Sequence, residues 1–182
     1  MAEVLVRVRN TLEASHLSPL FDSLTGLPAR VLFLAMLQNA LHRTEVYRRS
    51  VALLLLDLDR FRNVNVPLGF RLGDEMLRQV AHRLGQCRTA HHILARTGGD
   101  EFAFIVPRLE SRDSVLALAD KALEVIRQPI QLEEHEVRAC ASMGIAFYPD
   151  DGVTAETLMT CAERALYRAK EEGRDTFRVF SD

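Results

Sequence analysis

The chain has 182 residues, of which 48% are hydrophobic and 26% charged, enough for one well-cored domain and too few for two ordinary ones. A net charge of −2 gives no general attraction to nucleic acid or an anionic membrane, so an acidic ligand needs local positive groups. The three cysteines, Cys87, Cys140 and Cys161, show neither a disulfide framework nor zinc-ligand spacing.

Residues 2–9 alternate through Val4, Val6 and Val8 like a short strand, while Leu5, Val8 and Leu12 fit a helical face equally well. Residues 1–20 are expected to be a connector and 21–182 the domain. Asp22-Ser23-Leu24-Thr25-Gly26-Leu27-Pro28 has turn and helix-start chemistry. A helix over 29–48 is predicted to carry Val31, Leu34, Leu37 and Leu41 inward. The longest aliphatic run, Val51–Leu56, is too short to cross a bilayer, and the N-terminus has no signal-peptide hydrophobic region. A cytoplasmic domain without membrane contact is expected.

Val51 to Asp59 reads as a central strand covered on both faces and ending in acid. A loop with Asn63, Asn65, Pro67 and Gly69 should follow, then a helix near 71–85 with Leu72, Met76, Val80 and Leu84 as its apolar stripe. Ile93–Arg96 and Phe102–Val106 read as a hairpin about Gly98-Gly99. A helix near 112–127, a strand near 136–147, a helix near 154–171 stopped by Gly173, and a strand near 175–180 complete the chain. The expected fold class is α/β, with helices flanking a mostly antiparallel sheet.

Asp57 and Asp59 lie two apart on a strand, so both leave one face, and carboxylates placed so closely repel unless a cation sits with them. A divalent metal fits this strand end better than two solvated aspartates do. Asp100 and Glu101 follow the Gly-Gly turn and should point to opposite faces. Lys170 and Arg174 lie four apart at the end of the last helix. Alone, each pair has an ordinary explanation, a polar hairpin tip or cations at a helix C-terminus. Together, carboxylates for a metal and cations for phosphate suit phosphoryl or nucleotidyl transfer. His91-His92 lacks a third ligand at suitable spacing and reads as surface, and no nucleophile pattern is present.

Arg96-Thr97-Gly98-Gly99-Asp100-Glu101-Phe102 resembles the signature of the GGDEF family, the diguanylate cyclases. The resemblance runs from Asp22 to Phe180 through five ordered motifs: DSLTGLPAR (22–30), DLDRFRNVN (57–65), GFRLGDEML (69–77), the signature itself, and AERALYRAKEEGR (162–174). It implies a fold related to the palm of nucleotide cyclases and polymerases. It also implies that Asp57, the Leu58 carbonyl and Asp100 bind Mg²⁺ or Mn²⁺, and that Glu101 assists the attacking ribose 3′-hydroxyl. Asn65 and Asp74 would hold the guanine edge, Phe61 and Arg62 would belong to the substrate loop, and Gly98 and Gly99 would leave room for nucleotide. Lys170 and Arg174 would grip the β- and γ-phosphates. Two GTP molecules would become cyclic di-GMP and pyrophosphate across a homodimer, in a protein fused to further signalling domains. The alternatives are a degenerate GTP-binding module regulating an attached phosphodiesterase, and a pure protein-contact domain.

The sequence departs from the family pattern in Ala29 for Asn, Arg62 for Lys, Val66 for Asp and Phe70 for His. The product-inhibition motif Arg-x-x-Asp falls on Thr89-Ala90-His91-His92 and is missing.

Overall fold

The computed structural model describes residues 20–47 and 50–181; the strand or helix expected over residues 2–12 lies outside these. After a wide turn closed by Phe21 against Pro28, the elements run α1 (Arg30–Tyr47), β1 (Val51–Leu58), α2 (Arg62–Leu68), α3 (Phe70–Cys87), β2 (Ile93–Arg96) and β3 (Glu101–Val106). They continue as α4 (Arg112–Arg127), β4 (Ile130–Leu132), β5 (His135–Val137), β6 (Ala141–Tyr148), α5 (Ala155–Glu171) and β7 (Phe177–Val179). The main sheet has the order β2-β3-β1-β6-β7. Every pairing is antiparallel except β6 with β7, as the alternation of elements with one hairpin predicts.

The unbroken apolar run of β1 is explained by its place at the centre of three layers. Leu54, Leu56 and Leu58 join Met76, Val80 and Leu84 of α3 and Leu118, Leu123 and Ile126 of α4 in one core. Val51, Leu53 and Leu55 join Phe33 and Leu37 of α1 and Leu158 and Ala162 of α5 in the other. Strand periodicity therefore commits the next odd residue, Asp57, to the face that α5 covers.

Four expectations change. On α1 the buried stripe is Phe33, Leu37, Ala40 and Leu41, with Leu34 half-buried, whereas Val31 is exposed on the opposite side. The expected loop at 63–69 contains the short helix α2, ended by Gly69 at φ 81°, whose N–H donates to the Asn65 carbonyl; Pro67 costs that helix one backbone bond without preventing it. The expected strand at 136–147 is two strands. β5 turns back on β4 through Glu133, at φ 54°, as a separate ribbon, and β6 begins only at Ala141. Three-residue strands are too short to show a readable alternation. The last strand is also confined to Phe177–Val179.

Gly144 lies mid-strand on the α5 face of β6. A Cβ there would fall 2.1 Å from the Ala162 carbonyl oxygen and 2.3 Å from the Leu166 nitrogen. This bare position, with Ala162, Ala165 and Ala169 buried on the facing helix, lets α5 lie close against the sheet and brings its C-terminal end to the end of β1.

Candidate active site

The site forms where β1 and β3 end beside α5. Asp57 pairs directly across the sheet with Glu101 on one side and Ser142 on the other, so Asp57 and Glu101 share a face. Lys170 Nζ lies 2.8 Å from Asp57 Oδ1. Burial pushes the Asp57 carboxyl above its ordinary range, and the neighbouring charges of Asp100 and Asp59 push the same way. The Lys170 hydrogen bond and charge oppose them without winning. Like charges converging on a half-buried carboxylate create a demand for positive charge, met in this arrangement by the Lys170 ammonium.

Among the described residues, no three histidine, cysteine or carboxylate side chains converge as a metal cage. The expected set of Asp57, the Leu58 carbonyl and Asp100 uses only two side chains. Its oxygen-only chemistry fits a hard dication, and the upward shift of Asp57, caused first by burial and then by the charges of Asp100 and Asp59, fits a position where a cation is favoured.

Asp59 lies one residue past the end of β1 and keeps to the Asp57 side through Ser142, the residue paired with Asp57, but it has other partners. Its Oδ1 accepts from Ser142 Oγ at 2.8 Å and its Oδ2 from the Asp175 N–H at 3.0 Å. Its side chain is only 3% exposed, and Arg174 Nε lies 3.9 Å from Oδ1.

The signature loop is held by the arginine that heads it and by the opening turn of the domain. Arg96 donates through Nε and Nη2 to the Gly99 carbonyl, at 3.1 and 2.6 Å, and through Nη1 to both oxygens of Asp22, at 2.9 and 3.0 Å. Asp22 also accepts from the Thr25 N–H and hydroxyl, at 2.8 and 2.6 Å. Burial raises the Asp22 carboxyl, but these bonds outweigh it and hold the group below its ordinary range. Neither Asp22 nor Arg96 is among the site residues expected from sequence. Their signal was present as a carboxylate in the opening turn and a cation heading the signature, but nothing in the sequence pairs them.

Gly98 makes room for the loop's own side chain, since a Cβ there would meet Glu101 Oε2 at 2.5 Å. Gly99 faces open space. On the other side of the strand ends, α2 and α3 cross at a second bare position. A Cβ on Gly73 would lie 1.8 Å from Asn65 Oδ1 and 3.3 Å from the Phe61 ring. That Asn65 oxygen is buried and has no hydrogen-bond partner, an arrangement that is costly unless a donor arrives. Asp74 stands next to Gly73 on α3, and Arg62 is exposed at the start of α2. Val66 and Phe70, two of the family departures, are 75% and 80% exposed; they alter the rim and leave the core untouched.

The family profile described as "Diguanylate cyclase, GGDEF domain" matches residues 20–176. The chain belongs to the GGDEF family. It is 42% identical over 161 residues to the bifunctional diguanylate cyclase/cyclic di-GMP phosphodiesterase MucR of Pseudomonas aeruginosa, covering 88% of this chain and 23% of that protein. It is 38% identical over 160 residues to the diguanylate cyclase TpbB of the same species, covering 87% of this chain and 37% of TpbB. The crystallised GGDEF domain of TpbB superposes with a TM-score of 0.86 at 35% identity, over 88% of this chain and 94% of that one. This GGDEF chain thus spans between about a quarter and two fifths of the length of these two curated relatives, which carry further segments. Among the described residues no helix is long and apolar enough to cross a membrane.

Proposed function

We propose that this GGDEF domain is a diguanylate cyclase that condenses two GTP molecules into cyclic di-GMP with release of two pyrophosphates. The observation that carries this reading is Asn65 Oδ1, a buried acceptor without a donor beside Gly73 and Asp74. A guanine edge offers N–H groups to both residues, whereas adenine presents no matching pair of donors. The departures at Val66 and Phe70 leave this acceptor in place.

Asp57, the Leu58 carbonyl and Asp100 would hold Mg²⁺ or Mn²⁺, whose charge would offset that of the triphosphate. Lys170 and Arg174, at the end of α5, would bind the β- and γ-phosphates, with Lys170 exchanging Asp57 for phosphate oxygens. Glu101, on the Asp57 face, would accept the proton of the ribose 3′-hydroxyl as its oxygen attacks the α-phosphorus of the other GTP. Each attack forms one 3′-oxygen–phosphorus bond and breaks the α–β phosphoanhydride, so pyrophosphate leaves twice. One domain offers one guanine pocket, so two domains must face each other for the pair of attacks.

The second reading is a GTP-binding module that regulates an attached phosphodiesterase, favoured by the apolar rim at Val66 and Phe70. Incubation with GTP and Mg²⁺ followed by chromatography separates the two. Cyclic di-GMP is expected; GTP bound and recovered unchanged would support the regulatory module.

A further inference from the structure

Gly173, Arg174 and Asp175 have φ angles of 121°, 67° and 49°. Three consecutive left-handed residues are unusual, and only the glycine is at ease there. Such a turn persists because its surroundings hold it. The Arg174 N–H donates to the Ala169 carbonyl at 3.0 Å, completing the helix end. Arg127 donates to the Asp175 carboxylate at 2.9 Å and to its carbonyl at 2.8 Å, from an exposed position. The buried hold is Asp59, whose Oδ2 accepts the Asp175 N–H while Ser142 fixes Oδ1. The Asp59 N–H donates to the Cys140 carbonyl at 2.8 Å, anchoring the residue itself to the segment that enters β6.

We propose that Asp59 is a positioning residue that holds the 173–175 turn left-handed and so aims Arg174, with Lys170 one turn before it, at the β- and γ-phosphates. Its two carboxylate oxygens are committed to the protein, so it serves the basic pair and leaves the metal to Asp57 and Asp100. The charge of Asp59 near Arg174 Nε also restrains the guanidinium without the short bond that would keep it from phosphate. Asp59 thereby makes the site select for a triphosphate over a monophosphate. This assignment rests on the phosphate-gripping role proposed for Lys170 and Arg174; the placement of the turn does not.

The test compares wild type, Asp59→Ala and Asp59→Asn by amide hydrogen exchange without nucleotide, and by calorimetry with GTP and with GMP. In Asp59→Ala the Asp175 amide is expected to exchange at least about tenfold faster, with the amides of β1 and β6 unchanged. GTP affinity should fall about tenfold and GMP affinity by less than about twofold. Asp59→Asn keeps an acceptor for the Asp175 N–H, so it should restore slow exchange. Its lost charge should still lower the preference for GTP over GMP by about threefold, which carries the test if the alanine variant does not fold. Unchanged Asp175 exchange in a folded Asp59→Ala, or equal losses for GTP and GMP, would overturn the proposal. Wild type that binds GMP as tightly as GTP would overturn the phosphate-gripping reading itself, and selection by Asp59 with it.

Discussion

Arg96 places its guanidinium between the Asp22 carboxylate and the Gly99 carbonyl, joining the opening turn of the domain to its signature loop across 74 residues of sequence. The arginine side chain is 11% exposed and the aspartate side chain 21%, so water can replace little of what the pair supplies. Arg96→Ala would leave the carboxylate and the carbonyl without their shared donor. We expect a loss of about 1–3 kcal/mol in stability, read from denaturant midpoints, together with a looser loop and lower turnover.

The same pair sets a pH dependence. Asp22 titrates below its ordinary value of 3.8 in the folded protein, so its contribution is complete above that value and is lost as pH falls through the depressed folded value. The stability gap between wild type and Asp22→Asn should be full near about pH 6 and should narrow below about pH 4. A gap that widens on acidification would contradict the assignment.

Gly73→Ala isolates the proposed guanine pocket. Alanine favours a helix over glycine by about 1 kcal/mol, so α3 should tolerate the change. The new Cβ would nevertheless overlap Asn65 Oδ1, at 1.8 Å, and expel that side chain. The expected result is a folded protein whose GTP affinity is about tenfold lower and whose preference over ATP is largely lost. Calorimetry with both nucleotides reads this directly, and undiminished selectivity would remove Asn65 from the pocket.

Gly144→Ala tests the packing that brings α5 to the site. Its Cβ would meet helix backbone at Ala162 and Leu166, at 2.1 and 2.3 Å, and backbone cannot rotate aside. Overpacking of this kind costs about 1–3 kcal/mol or more. Lys170 rides on the same helix, so activity should fall with stability. A stable, fully active variant would show that the close approach is dispensable.

Much of this is legible in the sequence because the main elements have strong periodicity. The α3 stripe of Leu72, Met76, Val80 and Leu84 and the buried β1 both follow from spacing alone. The β4–β5 ribbon and α2 were not legible, since each is shorter than the window that reveals a period. At the site, Asp57 could be found because it ends an apolar strand. The separate task of Asp59 could not, because its partners Ser142 and Asp175 lie 83 and 116 residues away and no local pattern announces them. The Asp22–Arg96 clasp was hidden for the same reason.

Thr89 and His92 line a hollow of about 430 Å³ that also receives Arg108, Glu110 and Lys121. Burial, with help from His91, holds the His92 imidazole below its ordinary range, so it is neutral at about pH 7. The Thr89 N–H donates to its Nδ1 at 3.4 Å. Neither residue reproduces an arginine fork beside a carboxylate. Titration with cyclic di-GMP should therefore reveal no binding tighter than about 0.1 mM at this hollow. Tight binding weakened by both Thr89→Ala and His92→Ala would show otherwise.

Asp57 bears most directly on the proposed chemistry. Its raised pKa means that the carboxylate is a net cost to the folded chain at neutral pH, a cost relieved only as pH falls through the folded value. Asp57→Asn should thus melt at or above the wild-type temperature while losing turnover, the signature of a residue kept for function. The deciding measurement is cyclic di-GMP formed from GTP and Mg²⁺ by wild type and by Asp57→Asn, followed across a dilution series. The proposed chemistry requires product from wild type only, with a specific activity that rises with protein concentration as two domains meet. Equal product from the Asp57→Asn protein, or none from well-folded wild type at any concentration, would contradict it.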